Sequence, residues 1–130
     1  MQSSSGGIFI LLCEYIISIG GIVCGALYDK NFVVKHSFAR TLDECKAFQD
    51  SKYVSDIRGI YPKIKSILKS NIPVLFSGTP CQVAGLKLYL RKDYNNLYTV
   101  DLVCHGVPSP LIFKDYLNFV KVRMKYPILI

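Results

Sequence analysis

Val74-Leu75-Phe76-Ser77-Gly78-Thr79-Pro80-Cys81-Gln82, followed at residues 97–103 by Leu-Tyr-Thr-Val-Asp-Leu-Val, is the stretch that decides the fold of this chain. Pro73 disfavours helix just before it, and Val74-Leu75-Phe76 has the length and apolarity of a strand buried on both faces. From Thr79 onward Val83, Leu86 and Leu90 recur at helical spacing, which predicts a helix to about Arg91. A second strand, Leu97 to Val103, then ends at Cys104-His105-Gly106. Strand, helix and strand in this order form a βαβ unit, so the two strands are expected to be parallel and the crossover right-handed.

Upstream, Ser3-Ser4-Ser5 offers N-cap oxygens for a helix from about Gly7 to Ser18, which Gly20-Gly21 would end with a left-handed residue. That helix is apolar nearly all round and reads as central. Two strands follow, Ile22 to Tyr28 and Phe32 to Phe38, joined by Asp29-Lys30-Asn31, whose residue types suit a tight turn. Thr41 caps a helix from Leu42 to Gln49. A further amphipathic helix runs from Ile57 through Ile60, Tyr61, Ile64, Ile67 and Leu68, and a last one starts near Pro108 to Pro110. The class is therefore α/β: a mixed sheet made of a β-hairpin and a parallel βαβ unit, preceded by an N-terminal helix and with helices packed on the sheet.

The 130 residues suffice for one domain with a real core, and 51% hydrophobic content excludes a disordered or fibrous chain. Ile8 to Leu27 carries one charge, Glu14, over a length that could span a membrane. No Lys or Arg precedes it, however, and the glycine pair splits it into a helix and a strand. The net charge of +7 favours anionic partners, yet the basic residues are scattered singly and form no nucleic-acid stripe. Five cysteines at irregular spacing argue for a reducing cytoplasm rather than a disulfide framework.

The chemistry gathers where the parallel strands end. Thr79-Pro80-Cys81-Gln82 fits a capping box, placing Cys81 in a first helical turn, where the positive end of the helix favours a thiolate. If the two strands are neighbours, Cys81 and the Cys104-His105 pair share the carboxyl edge at which open α/β sheets bind ligands. Two cysteines and a histidine there suit a Cys nucleophile with a His base, an iron or zinc site, or a redox-active disulfide. The plainer alternative is that both cysteines are packing residues. Cys13, Cys24 and Cys45 lie in apolar patterns and read as packing, while His36 on the hairpin reads as exposed. Asp101, an acid in an apolar strand, needs a partner such as His105 or a backbone amide. Ser5-Gly6-Gly7 at a helix start could cradle a phosphate, or be a flexible entry with a serine cap. Lys52-Tyr53 reads as an ordinary loop pair more readily than as a contact to an anionic ligand.

Four blocks together resemble the coenzyme F420 hydrogenase/dehydrogenase beta-subunit family: Ser-Ser-Gly-Gly at 4–7, Ser-Lys-Tyr-Val at 51–54, Ser-Gly-Thr-Pro-Cys-Gln-Val-Ala-Gly-Leu at 77–86 and Asp-Leu-Val-Cys-His-Gly-Val-Pro-Ser at 101–109. The resemblance implies an iron-sulfur flavoprotein oxidoreductase that uses FAD and a 4Fe-4S cluster to exchange electrons with a deazaflavin or related acceptor. It implies Cys81 and Cys104 as cluster ligands and Gly6 and Gly7 at the flavin, with Lys52 and Tyr53 in a matched loop. Such a cluster takes four thiolates, and the matched blocks supply two. Many members carry a ferredoxin-like Cys-rich segment before the first block and a further domain after the last helix. The chain is accordingly expected to be the family's N-terminal catalytic-type domain, truncated at both ends, with a ferredoxin-like domain or subunit as partner in a larger redox complex. Donor and acceptor are not assigned by the resemblance.

Overall fold

The computed structural model describes residues 7–31, 33–49, 57–101 and 110–124. Helix α1 (Ile8–Ser18) leads into strand β1 (Ile22–Tyr28) and strand β2 (Val34–Ala39), then into the short α2 (Leu42–Cys45), which runs on into a 3-10 turn at Lys46–Phe48. Helix α3 (Ile60–Lys69), strand β3 (Val74–Gly78), helix α4 (Pro80–Leu90), strand β4 (Leu97–Asp101) and helix α5 (Pro110–Met124) complete the order. The four strands make one sheet in the order β2-β1-β3-β4. Strand β1 pairs antiparallel with β2, while β1, β3 and β4 are mutually parallel, with Ile22 opposite Val74 and Gly78 opposite Asp101. The mixed α/β architecture read from the sequence is the observed one.

Two cores sandwich the sheet, and strand alternation assigns residues to them. On one face Cys24, Val74 and Phe76 meet Ile60, Ile64 and Leu68 of α3 and Val83, Leu86 and Leu90 of α4. On the other, Val23 and Leu75 meet Cys13 and Ile16 of α1 together with Cys45 and Phe48. Helix α3 is the amphipathic helix expected from its stripe, but it begins at Ile60 because Gly59 takes a left-handed conformation at its N-cap.

Helix α1 differs from its sequence reading. Its inner stripe, Cys13 and Ile16, is buried, whereas Ile8, Leu11 and Tyr15 are more than half exposed. A helix on one face of a sheet buries only one side, and uniform apolarity does not say whether a second layer covers the other. Its N-cap is Gly7, with φ of 76° and no side-chain cap, not one of the preceding serines. Helix α1 stops at Ser18 and a strand follows at Ile22, so Ile8 to Leu27 is no continuous span. Among the described residues no helix is long and apolar enough to cross a membrane.

The hairpin turn is closed by the Asp29 carboxylate, which accepts from the amides of Asn31 and Val33. These bonds hold the Asp29 carboxyl below its ordinary value, the Val33 amide contributing most. They also extend the turn to Val33, so β2 starts at Val34 and runs to Ala39, later than its apolar run suggests.

Candidate functional site

The capping box expected at Thr79 is present. The Thr79 hydroxyl accepts from the Gln82 amide at 3.4 Å, and the Gln82 side-chain oxygen accepts from the Thr79 amide at 3.0 Å. With Pro80 at the first helical position, this fixes the chain direction as it leaves β3, and a cap of this kind contributes about 1 kcal/mol. Cys81 follows in the first turn, exposed, its Sγ 3.1 Å from Thr79 Oγ1. The turn is braced from α3: the Tyr61 hydroxyl donates to the Gln82 carbonyl at 2.7 Å. Gly85 makes this approach possible, since a Cβ there would lie 2.9 Å from the Tyr61 oxygen. Burial, and secondarily the nearness of Cys81, raise the Tyr61 phenol above its usual value.

Strand adjacency is as the site requires. Strands β3 and β4 are parallel neighbours ending together at Gly78 and Asp101. The sheet order reverses between β1 and β3, the chain turning to β2 on one side and to β4 on the other. Crevices at the carboxyl ends of strands at such a switch point are the usual ligand sites of open α/β sheets. Helices α1, α3 and α4 each precede or follow a parallel strand, so each points its N-terminus toward this same edge. Gly7, Gly59 and Thr79 are their N-caps, with Gly7 on the face of the sheet opposite to α4.

Asp101 lies at this edge and is exposed, so it needs no buried partner, contrary to the sequence expectation. A strand's last residue escapes the covering helices, which the apolar run alone does not reveal. Ser5, Gly6, Lys52, Tyr53, Cys104 and His105 lie outside the described residues, as does any meeting of Cys81 with Cys104. The packing reading of the other three cysteines holds, Cys13, Cys24 and Cys45 having no exposed surface. Burial pushes the Cys24 thiol up to about 12, and it raises Cys13 and Cys45 as well. Among the described residues no group of three or more His, Cys, Asp or Glu is placed to hold a metal ion.

His36 is the residue that the sequence reading misplaced. It is 5% exposed, with its ring stacked on Phe76 at 5.2 Å between centroids. Its Nε2 lies 2.8 Å from the Ser77 carbonyl. A carbonyl only accepts, so Nε2 carries the proton and donates. The alternation Val34, His36, Phe38 in β2 was the available signal, since it puts all three on one face. Burial lowers the His36 pKa from the ordinary 6.5, the Ser77 bond acting weakly in the opposite sense. The folded state therefore binds fewer protons than the unfolded one just below pH 6.5, and stability falls as pH drops from 6.5 toward the folded-state value. Thermal unfolding followed across this range should show that decline in the unaltered protein and a flatter profile in His36→Gln.

The geometry thus defines an open α/β domain whose carboxyl edge, among the described residues, gathers three helix N-termini and one solvent-facing thiol. Residues 73–126 match the family model that describes the C-terminal part of the coenzyme F420 hydrogenase/dehydrogenase beta subunit. The fold is similar to that of a chain in the F420-reducing NiFe hydrogenase complex from Methanosarcina barkeri, with a TM-score of 0.69 at 23% sequence identity over 96% of this chain. This chain spans 45% of that one's length. No curated protein matches the sequence. The family-model match covers two of the four sequence blocks, those at 77–86 and 101–109, and over that segment agrees with the resemblance to the coenzyme F420 hydrogenase/dehydrogenase beta-subunit family.

Proposed function

We propose that this chain is the electron-handling domain of an oxidoreductase of this family, in which Cys81 and Cys104 hold part of a 4Fe-4S cluster and FAD binds at the same sheet edge. The observation that carries the reading is the placement of Cys81: an exposed thiol in the first turn of α4, at the carboxyl edge of parallel strands, inside the segment that matches the family model. The donor set fits a shared cluster. With Cys13, Cys24 and Cys45 sealed in the two cores, this chain can offer two thiolates of the four required. A ferredoxin-like domain or subunit supplies the rest, in keeping with a relative that belongs to a hydrogenase complex. The edge also suits a pyrophosphate, since the three helix dipoles that point their positive ends toward it favour anions. Gly6, Gly7 and Thr79 are the candidate positions for such a group, and Ser5, Lys52 and Tyr53 complete the candidate set. Once bound, cluster and flavin would supply electron transfer to a deazaflavin or related acceptor. Asp101 and His105 are the candidates for moving a proton at the edge.

The test is anaerobic reconstitution of the full-length protein with iron, sulfide and FAD. Thiolate-to-iron absorption and bound iron should fall to background in Cys81→Ser and in Cys104→Ser. Unchanged cluster content in both variants would sink the reading. Rapid alkylation of Cys81 in a protein that takes up neither iron nor flavin would instead favour a Cys nucleophile with His105 as base.

A further inference from the structure

From Ile57 to Lys92 the chain contains Arg58, Lys63, Lys65, Lys69, Lys87, Arg91 and Lys92 and not one Asp or Glu. The rest of the molecule is balanced between acids and bases, so this segment alone accounts for the net charge of +7. It folds as α3, β3 and α4, and β3 is interior; the surplus therefore lies on the single helical layer that covers one face of the sheet. Cations near helix C-termini, such as Lys69 and Lys87, do complement the helix dipoles. That effect explains one favourable charge per helix and not the loss of every acid from two helices.

Within this basic layer are apolar groups that the core does not use. Leu88 is 78% exposed on the outer side of α4, one turn before Arg91 and beside Lys87. Tyr89 packs against Tyr61 and lies under the Lys65 ammonium, 5.6 Å from its ring centre, which joins the two helices across their outer surface. An apolar centre within a charged rim is the usual anatomy of a protein–protein interface. One leucine and one tyrosine offer too little apolar area for membrane insertion, which needs a broad apolar helix face. A symmetric pairing of two copies through this face would set the same basic layer against itself, which like charge disfavours.

We infer that the outer face of α3 and α4, centred on Leu88 and Tyr89 and rimmed by Lys63, Lys65, Lys69, Lys87, Arg91 and Lys92, docks an acidic protein. The inference rests on the proposed redox role for its meaning, because it leaves Cys81, at the N-terminal end of α4, on the rim of the interface. It does not rest on that role for its test. The probe is a small acidic ferredoxin, with binding to the full-length protein measured as a function of ionic strength, whether or not a cluster is present. Lys63→Glu/Lys65→Glu and Lys87→Glu/Arg91→Glu should each weaken binding by about tenfold or more at low salt and reduce its salt dependence. Lys46→Glu, on the opposite face, should leave it unchanged. Leu88→Ala should speed dissociation without altering the salt dependence. Far-UV circular dichroism serves as the folding control for every variant. No binding by the unaltered protein, equal binding by the charge-reversed variants, or equally tight binding to phosphatidylserine vesicles or duplex DNA would overturn the inference. Loss of the cluster with docking retained would count against the cluster ligands alone.

Discussion

Phe76→Ala should lower the stability of this protein by about 3–5 kcal/mol, enough to remove much of the roughly 5–15 kcal/mol that holds a domain of ordinary stability together. Phe76 sits in the central part of β3 with no exposed surface. Its ring is shared by two layers, stacking on His36 of β2 and meeting Tyr61 of α3 edge-on at 6.3 Å. Truncation therefore leaves a cavity between the sheet and α3 that cannot collapse without moving His36 or Tyr61. Urea unfolding should shift accordingly, with a melting temperature lower by ~10–20 °C. Phe76→Leu, which keeps more of the volume, should lose far less. The Ala variant should also show a weaker decline in stability below pH 6.5, because His36 would no longer be held in a dry, packed site. Near-equal stability of Ala and Leu variants would mean that the ring is not a packing centre.

Gly21→Ala should cost roughly 3 kcal/mol, far more than Gly20→Ala next to it. A Cβ at Gly21 would lie 2.8 Å from the backbone oxygens of both Ile16 and Pro73. Neither oxygen is free to retreat. Ile16 O accepts from the Gly21 amide and Pro73 O from the Ile22 amide, both at 2.8 Å, and these bonds tie the end of α1 and the start of β1 to the start of β3. Gly20 has open space around its missing side chain and a φ of 81°. Alanine there meets only the strain of a left-handed backbone, about 1 kcal/mol. Measured side by side, the two variants separate crowding from backbone strain, and equal losses would refute the crowding at Gly21.

Much of this was legible in the sequence, where local chemistry and tertiary packing agree. Strand β1 and the helix from Pro80 fall where Gly20-Gly21 and Thr79-Pro80 punctuate the chain, because those residues impose backbone geometry whatever surrounds them. Strand β2 slipped because the Asp29 side chain, not the apolar run, decides where the turn closes. Residue type alone leaves the burial of a histidine undecided, and in β2 only the alternation with Val34 and Phe38 places His36 on the buried face. The charged layer could be found by counting acids and bases along the chain, but the cations are seldom adjacent, and only the fold shows that the two helices carrying them share one face. Cys81 was placed by its cap. Cys104 lies outside the described residues.

Strand β1 is paired on its two sides with segments at very different distances along the chain. Its partner in the hairpin lies across the short turn at Asp29–Val33, whereas Ile22 must find Val74. Loops whose lengths differ by about tenfold differ in closure entropy by about 2 kcal/mol. The hairpin is thus the cheaper pairing to close, and the parallel seam with β3 bears the larger entropic cost. That seam passes directly beneath the switch point of the sheet. The candidate site thus lies over the one seam whose two strands are separated by the longest stretch of chain and are most deeply buried, so its geometry holds only while the whole domain stays folded.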